Sequence, residues 1–155
     1  MFEALDKIML AGLGAMSMTK EKAEELGVEP MACFRSCAVA GADPTLTYPA
    51  VPASVNKALH KAGVTIDEID IIEIQEAFAV QALADARMMG IKPEDFDKKI
   101  NVNGSGISLG HPIGATGVMR LVTLLHEMKR RGSRYGLETI CGGGGLGIAA
   151  VMERT

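Results

Sequence analysis

Cysteine is scarce, with three residues at irregular spacing in 155. So few, odd in number, do not make a disulfide framework, and they place the chain in a reducing compartment, taken as the cytoplasm. The three histidines and the cysteines fall far apart, so no metal-ligand cluster is read and no metal is expected. No apolar run approaches the roughly 20 residues that cross a bilayer, and no signal-peptide pattern opens the chain. Lys and Arg are scattered and the net charge is −3, which argues against a nucleic-acid surface. Internal repeats, charge runs and low-complexity linkers are also missing. What is left is an ordinary globular composition, 48% hydrophobic and 23% charged, in a chain long enough for one real core. Ten methionines are many, and methionine mostly fills core gaps.

Glycine is the exception. Ten of 18 glycines sit in two short windows, residues 101–117 and 141–147. Glycine loses more backbone freedom than any other residue, so such clustering suggests chain that bends unusually or lies close to something. Each window carries a reactive side chain, His111 or Cys141. The residue before a proline avoids helical angles and proline suits a first helical turn. His111-Pro112 therefore reads as the end of a loop, presenting His111 just ahead of a helix.

Along the chain, Phe2 to Leu10 has helical apolar spacing, and residues 1–14 form an N-terminal segment separate from a domain over 15–155. Ala15 to Met18 is a short strand. Thr19 caps a helix over Lys20 to Leu26, which Gly27 closes. Met31 to Ala40 is a strand, and Val51, Val55, Leu59 and Ala62 share one helical face ended by Gly63. Ile69 to Ile74 is a strand. Ala77 to Met89, small and apolar nearly all round at first, reads as a helix buried on several sides. Ile100 to Asn103 is a strand, and Thr116 to Arg131 is an amphipathic helix with Leu121, Leu124, Leu125 and Met128 inward. Leu137 to Cys141 and Gly147 to Met152 form a closing hairpin. Alternating strands and helices give an α/β class with a largely parallel sheet. In such sheets function collects at the carboxyl ends of strands. Gln75-Glu76, His111 and Cys141 all fall there.

At these residues the chain resembles the C-terminal half of a thiolase. Gln75-Glu-Ala-Phe78, Gly110-His-Pro112 and Cys141-Gly-Gly-Gly144 stand in the family's order and spacing. Ala40-Gly-Ala-Asp-Pro44, Lys129-Arg-Arg-Gly132 and Tyr135-Gly-Leu137 extend the match from about residue 15 to the end. The resemblance implies a three-layer α/β/α domain around a mixed five-stranded sheet. It also implies reversible Claisen condensation and thiolytic cleavage of 3-ketoacyl-CoA. His111 would activate a cysteine nucleophile and help bind the thioester oxygen. Cys141 would move the proton at the substrate α carbon, and Gly143 would lend an N–H to an oxyanion hole. Gln75 stands where the family has an asparagine that holds a catalytic water. Ala77 and Phe78 would lie along the acyl and pantetheine path. No cofactor is implied, since the coenzyme A thioester is the substrate.

The family's nucleophilic cysteine has no counterpart here, and Cys33 and Cys37 read as buried small hydrophobes in a strand. The resemblance therefore implies a partner chain with the N-terminal half, as in a split thiolase. The other reading is a non-catalytic thiolase-fold module that regulates a partner acyltransferase. Either way the helix over Ala77 to Met89 is expected on a face that a partner covers, making the chain a hetero- or homo-oligomer. The loop Thr45 to Pro49 is shorter than in the family. His60 and His126 read as surface residues, Arg120 and Arg134 as surface or interface residues, and Glu76 as either a site carboxylate or a cap on the helix that follows it.

Overall fold

A computed structural model describes residues 20–45 and 50–155. The chain divides into two compact units, Met1–Met31 and Ala32–Thr155. In the first, the described part is helix α1 (Lys20–Leu26). Gly27 closes it at φ +63°, and Val28 N donates to Ala23 O at 3.0 Å, a left-handed helix stop. The helix expected over Phe2 to Leu10, the strand at Ala15 to Met18, the Thr19 cap and most of the Thr45 to Pro49 loop lie outside the described residues.

The second unit holds strands β1 (Ala32–Gly41), β2 (Ile71–Ile74), β3 (Tyr135–Gly142) and β4 (Leu146–Arg154). Its helices are α2 (Ala50–Ala62), α3 (Ala79–Met88), α4 (Phe96–Lys99), α5 (Gly106–Leu109) and α6 (Thr116–Arg131). The sheet order is β1-β4-β3-β2, with only β2 and β3 parallel. The sheet is thus mixed rather than largely parallel, because the β3–β4 hairpin turns the chain back and β1 pairs antiparallel with its far side. The hairpin itself falls where the glycine run places it, with Cys141 opposite Gly147. Gly145 and Gly147 leave no room for a side chain, since a Cβ would meet the Ala42 and Ala50 carbonyls respectively.

Helices cover both faces. On one, Val51, Val55, Ala58, Leu59 and Ala62 of α2 and Ala82 and Ala86 of α3 meet Ile72, Ile74, Leu137, Ala149 and Val151 in a single core. On the other, α6 lies over β2 and β3, where Gly136 admits Leu124 and Met128 against the strand. Leu125 is only half-buried, at the margin of that contact. α6 stops at Gly132, in the left-handed region at φ +69°, with Ser133 N donating to Met128 O at 3.0 Å. Lys129, Arg130 and Arg131 fill its last turn, where the helix dipole favours cations. No helix among the described residues is long and apolar enough to cross a membrane.

Among the described residues the sheet has four strands, where five were expected. Ile100 makes one parallel bridge to Ile72, and Asn101 N donates to Ile72 O at 2.9 Å. The backbone then turns at Asn101, φ +48°, a conformation asparagine tolerates better than most residues. Its side chain continues the ladder in place of a strand. Oδ1 accepts from Ile74 N at 2.7 Å and Nδ2 donates to Ile74 O at 3.0 Å.

Further differences from the sequence expectations concern exposure. α3 is not buried on several sides. Phe78, just before it, and its own Val80, Leu83 and Met88 are exposed, while Gln81, Ala82, Asp85 and Ala86 face inward. Cys33 is exposed and Cys37 half-buried, because β1 is an edge strand covered by α2 on one face. The opposite face leaves Val39 and its neighbour Ile148 open to solvent.

Beneath α6, Glu73 and Glu138 are direct partners across the β2–β3 ladder, and both are buried. Burial, opposed by Arg120 and assisted by the charges of Glu76 and Glu127, raises the Glu73 carboxyl to about 7. Burial and then the Glu73 charge raise Glu138 to about 8, Arg120 again opposing. Both folded values lie above the unfolded one. The neutral forms therefore favour folding fully at low pH, and that stability is lost as pH rises toward 7–8. Glu138→Gln is expected to change urea-unfolding stability little near pH 5 and to raise it by about 2 kcal/mol near pH 8.5. An equal effect at the two pH values would contradict a buried, proton-holding pair.

Candidate active site

The site grows from the end of β2. Ile74, Gln75 and Glu76 leave the sheet together, and the loop from Asn101 to Gly110 is fastened onto them. Ser105 Oγ donates to Ile74 O at 2.7 Å, beside the Asn101 amide. Glu76 accepts from Asn101 Nδ2 and from Ile107 N, each at 3.0 Å. The carboxylate thus sits at the N-terminus of α5, not at that of the helix following it in sequence. Gly106 lies directly over Gln75, where any Cβ would collide with the Gln75 amide. Gln75 itself is buried; its backbone N donates to Thr139 O at 3.0 Å, and neither end of its side-chain amide has a hydrogen-bond partner in the chain.

His111 follows this loop and is exposed. Its Nδ1 lies 2.7 Å from Thr116 Oγ1, the first residue of α6. The Thr116 hydroxyl donates its one hydrogen to Pro112 O at 3.0 Å. With that hydrogen on Pro112 O, the hydroxyl accepts from the ring, an arrangement that puts an imidazole hydrogen on Nδ1 and turns Nε2 away from Thr116. Thr116 is almost fully buried, so this partner is fixed. Gly117, next along, packs against Ile140, the neighbour of Cys141.

Cys141 is the next-to-last residue of β3, half-buried, with its side facing the core that α3 covers. Burial pushes its thiol up, the Asp85 charge adds to this, and a backbone hydrogen bond opposes it. The sulfur is thus a protonated thiol at rest. Asp85 is itself raised to about 6 by burial, despite a hydrogen bond from Gln81 Nε2. Gly143 lies exposed in the β3–β4 turn, with open space around its Cβ position. Ala77 and Phe78 are exposed at the start of α3.

Because β2 and β3 are parallel neighbours, Gln75 and Cys141 leave the same sheet edge. The loop packed on Gln75 and the α6 N-terminus packed beside Ile140 bring His111 to that edge as well. His60 and His126 are exposed on helices away from it. Among the described residues, no three His, Cys, Asp or Glu are grouped to hold a metal ion.

Three residues that shape the site escaped the sequence reading. Asn101 and Thr116 were read only as parts of a strand and a helix. Arg120 was read as a surface or interface residue and is fully buried. A signal for it existed: Thr116, Arg120, Leu124 and Met128 recur every four residues, which places the arginine on the inward stripe of α6.

The Thr116 contact has a spectroscopic consequence. In ¹⁵N NMR of the neutral ring, His111 is expected to carry its hydrogen on Nδ1 rather than on Nε2. Thr116→Val is expected to shift the ring toward the Nε2–H tautomer; an unchanged spectrum would remove the hydroxyl from the account.

A model of the thiolase C-terminal domain matches residues 28–154. An acetyl-CoA acetyltransferase of Syntrophomonas wolfei is 52% identical over 144 residues, 92% of this chain and 36% of that protein. A 3-ketoacyl-CoA thiolase of Enterobacter sp. is 48% identical, over 88% of this chain and 35% of its own length. The crystal structure of the Bacillus anthracis acetyl-CoA acetyltransferase superposes with a TM-score of 0.82 at 41% identity, covering 89% of this chain and 34% of that one. The chain therefore spans about a third of the length of these relatives. With the match running from before β1 to the end of β4, and with the glycine-loop histidine and the β3 cysteine at one sheet edge, this chain belongs to the thiolase family, as its C-terminal domain.

Proposed function

We propose that this chain supplies the histidine and the second cysteine of a thiolase active site. A chain bearing the N-terminal half would complete the site with the nucleophilic cysteine. The observation that carries this reading is that His111, held at Nδ1 by Thr116, and Cys141, whose thiol is pushed up by burial, both lie where β2 and β3 leave the sheet. On this reading the first acts as a base and the second as an acid.

In thiolysis, His111 Nε2 takes the proton of the partner's cysteine as its sulfur attacks the C3 carbonyl of a 3-ketoacyl-CoA. The carbon–carbon bond breaks, and the released C2 carbanion takes its proton from Cys141 Sγ. Coenzyme A gives its thiol proton to Cys141 as its sulfur takes the acyl group from the partner's cysteine, and that cysteine leaves with the proton returned from His111 Nε2. Condensation runs the same steps backwards, with Cys141 removing the α proton. A raised thiol suits this task, because it stays loaded until a much stronger base forms beside it. Gly143, on the open turn after Cys141, offers a backbone N–H to the developing oxyanion. The buried, unpaired Gln75 amide is costly in isolation and would repay that cost by binding a water or substrate oxygen. Ala77 and Phe78 would line the acyl and pantetheine approach.

The exposed Phe78, Val80, Leu83 and Met88 give the partner an apolar face to cover, and Val39 and Ile148 give it a second. Alone, the chain is expected to sediment as an oligomer and to lack thiolysis of acetoacetyl-CoA. Monomers in dilute solution would count against a covered face, and full activity of the chain alone would remove the partner.

With a partner chain present, His111→Ala and Cys141→Ala are each expected to lower turnover by about a thousandfold or more. Unchanged turnover in His111→Ala would leave a thiolase-fold interaction module in place of an enzyme component.

A further inference from the structure

Arg120 is the one buried cation among the described residues, and it does not spend its hydrogen bonds on the buried carboxylate beside it. Its Nη1 lies 4.0 Å from Glu73 Oε2, and neither Glu73 oxygen has a hydrogen-bond partner in the chain. Instead Nη1 donates to Gly104 O at 3.3 Å and Nη2 donates to Gly110 O at 3.4 Å. Both glycines are in the left-handed region, at φ +86° and +89°. They bracket α5, and their carbonyls turn inward onto one guanidinium. A planar fork can hold two such acceptors at once, which a lysine ammonium on a flexible stem does poorly.

Gly110 is the residue before His111. Thr116 and Arg120 are four apart on α6 and so lie on the same face of the helix. One grips the His111 ring at Nδ1, and the other grips the backbone entering His111. We infer that Arg120 is a positioning residue, clamping both ends of the Gly104–Gly110 loop to α6 so that His111 is presented in a fixed place. Glu73 lies beside the guanidinium at 4.0 Å without competing for its N–H groups. This inference concerns the loop itself and rests on the thiolase reading only for its effect on turnover.

The test uses Arg120→Lys, which keeps the charge beside Glu73, and Arg120→Met with Glu73→Gln, which removes both charges. Amide hydrogen exchange is measured from Ile107 to His111 in the chain, and kcat and KM in its complex with the N-half chain. Exchange there is expected to quicken about tenfold or more in both variants, with exchange in β3 and β4 unchanged. Turnover is expected to fall about ten- to a hundredfold with KM within about twofold, as for a displaced catalytic group. Wild-type exchange at Ile107 to His111 in a folded Arg120→Lys chain overturns the inference, and so does a kcat loss matched by equal loosening throughout the sheet. If His111→Ala turns over normally, the thiolase reading fails, while the exchange result still decides the role of Arg120.

Discussion

The site depends on how the two backbone groups of the last residue of a short strand are satisfied once the sheet has run out of strands. β2 has four residues and lies at the edge, so Ile74 needs partners for its N–H and C=O outside the ladder. Leaving such groups buried and unpaired would cost about 1–3 kcal/mol each. The Asn101 amide meets both, and Ser105 adds a second donor to the carbonyl. The same contacts fix where the following loop must lie. A fifth strand would have satisfied Ile74 equally well but would have carried the chain straight on along the sheet. The side-chain substitute lets the backbone turn at Asn101 and fold back over Gln75.

From there, helix α6 acts as a rigid ruler. Its first turn holds the His111 ring through Thr116, and its second holds the loop carbonyls through Arg120. Its inner face rests on Gly136, where the absence of a side chain lets Leu124 and Met128 settle against β3. Cys141 is the next-to-last residue of β3. A single helix thus references His111 and Cys141 to one strand, and under the proposed function small errors of placement at that edge would matter most to catalysis.

Much of this was legible in the residues. The hairpin around Cys141, the α2 face of Val51, Val55 and Leu59, and the stop at Gly132 follow from periodicity and glycine placement alone. The family and its domain followed from three short motifs in order. What periodicity could not give was the Ile100 to Asn103 segment, since an Ile-Val alternation says nothing of an asparagine side chain replacing backbone. Arg120 was misread because charge usually means surface, whereas its four-residue spacing from Leu124 and Thr116 put it inside. Strand direction was misread because alternation of helices and strands does not count the hairpin that reverses β4.

α3 reverses the usual logic of an amphipathic helix. Its inward face carries Gln81 and Asp85, and its outward face carries large apolar side chains. A helix folding only for this chain would gain by the opposite arrangement, because burying a leucine or phenylalanine side chain is worth about 1.5–3 kcal/mol. Burying Asp85 instead raises its carboxyl and, through its charge, the Cys141 thiol. The polar face is therefore tied to the chemistry at the sheet edge. The apolar face is tied to whatever covers it, which under the proposed function is the N-terminal half of a thiolase. The stability α3 forgoes in isolation would then return on assembly, which couples completion of the site to completion of the fold.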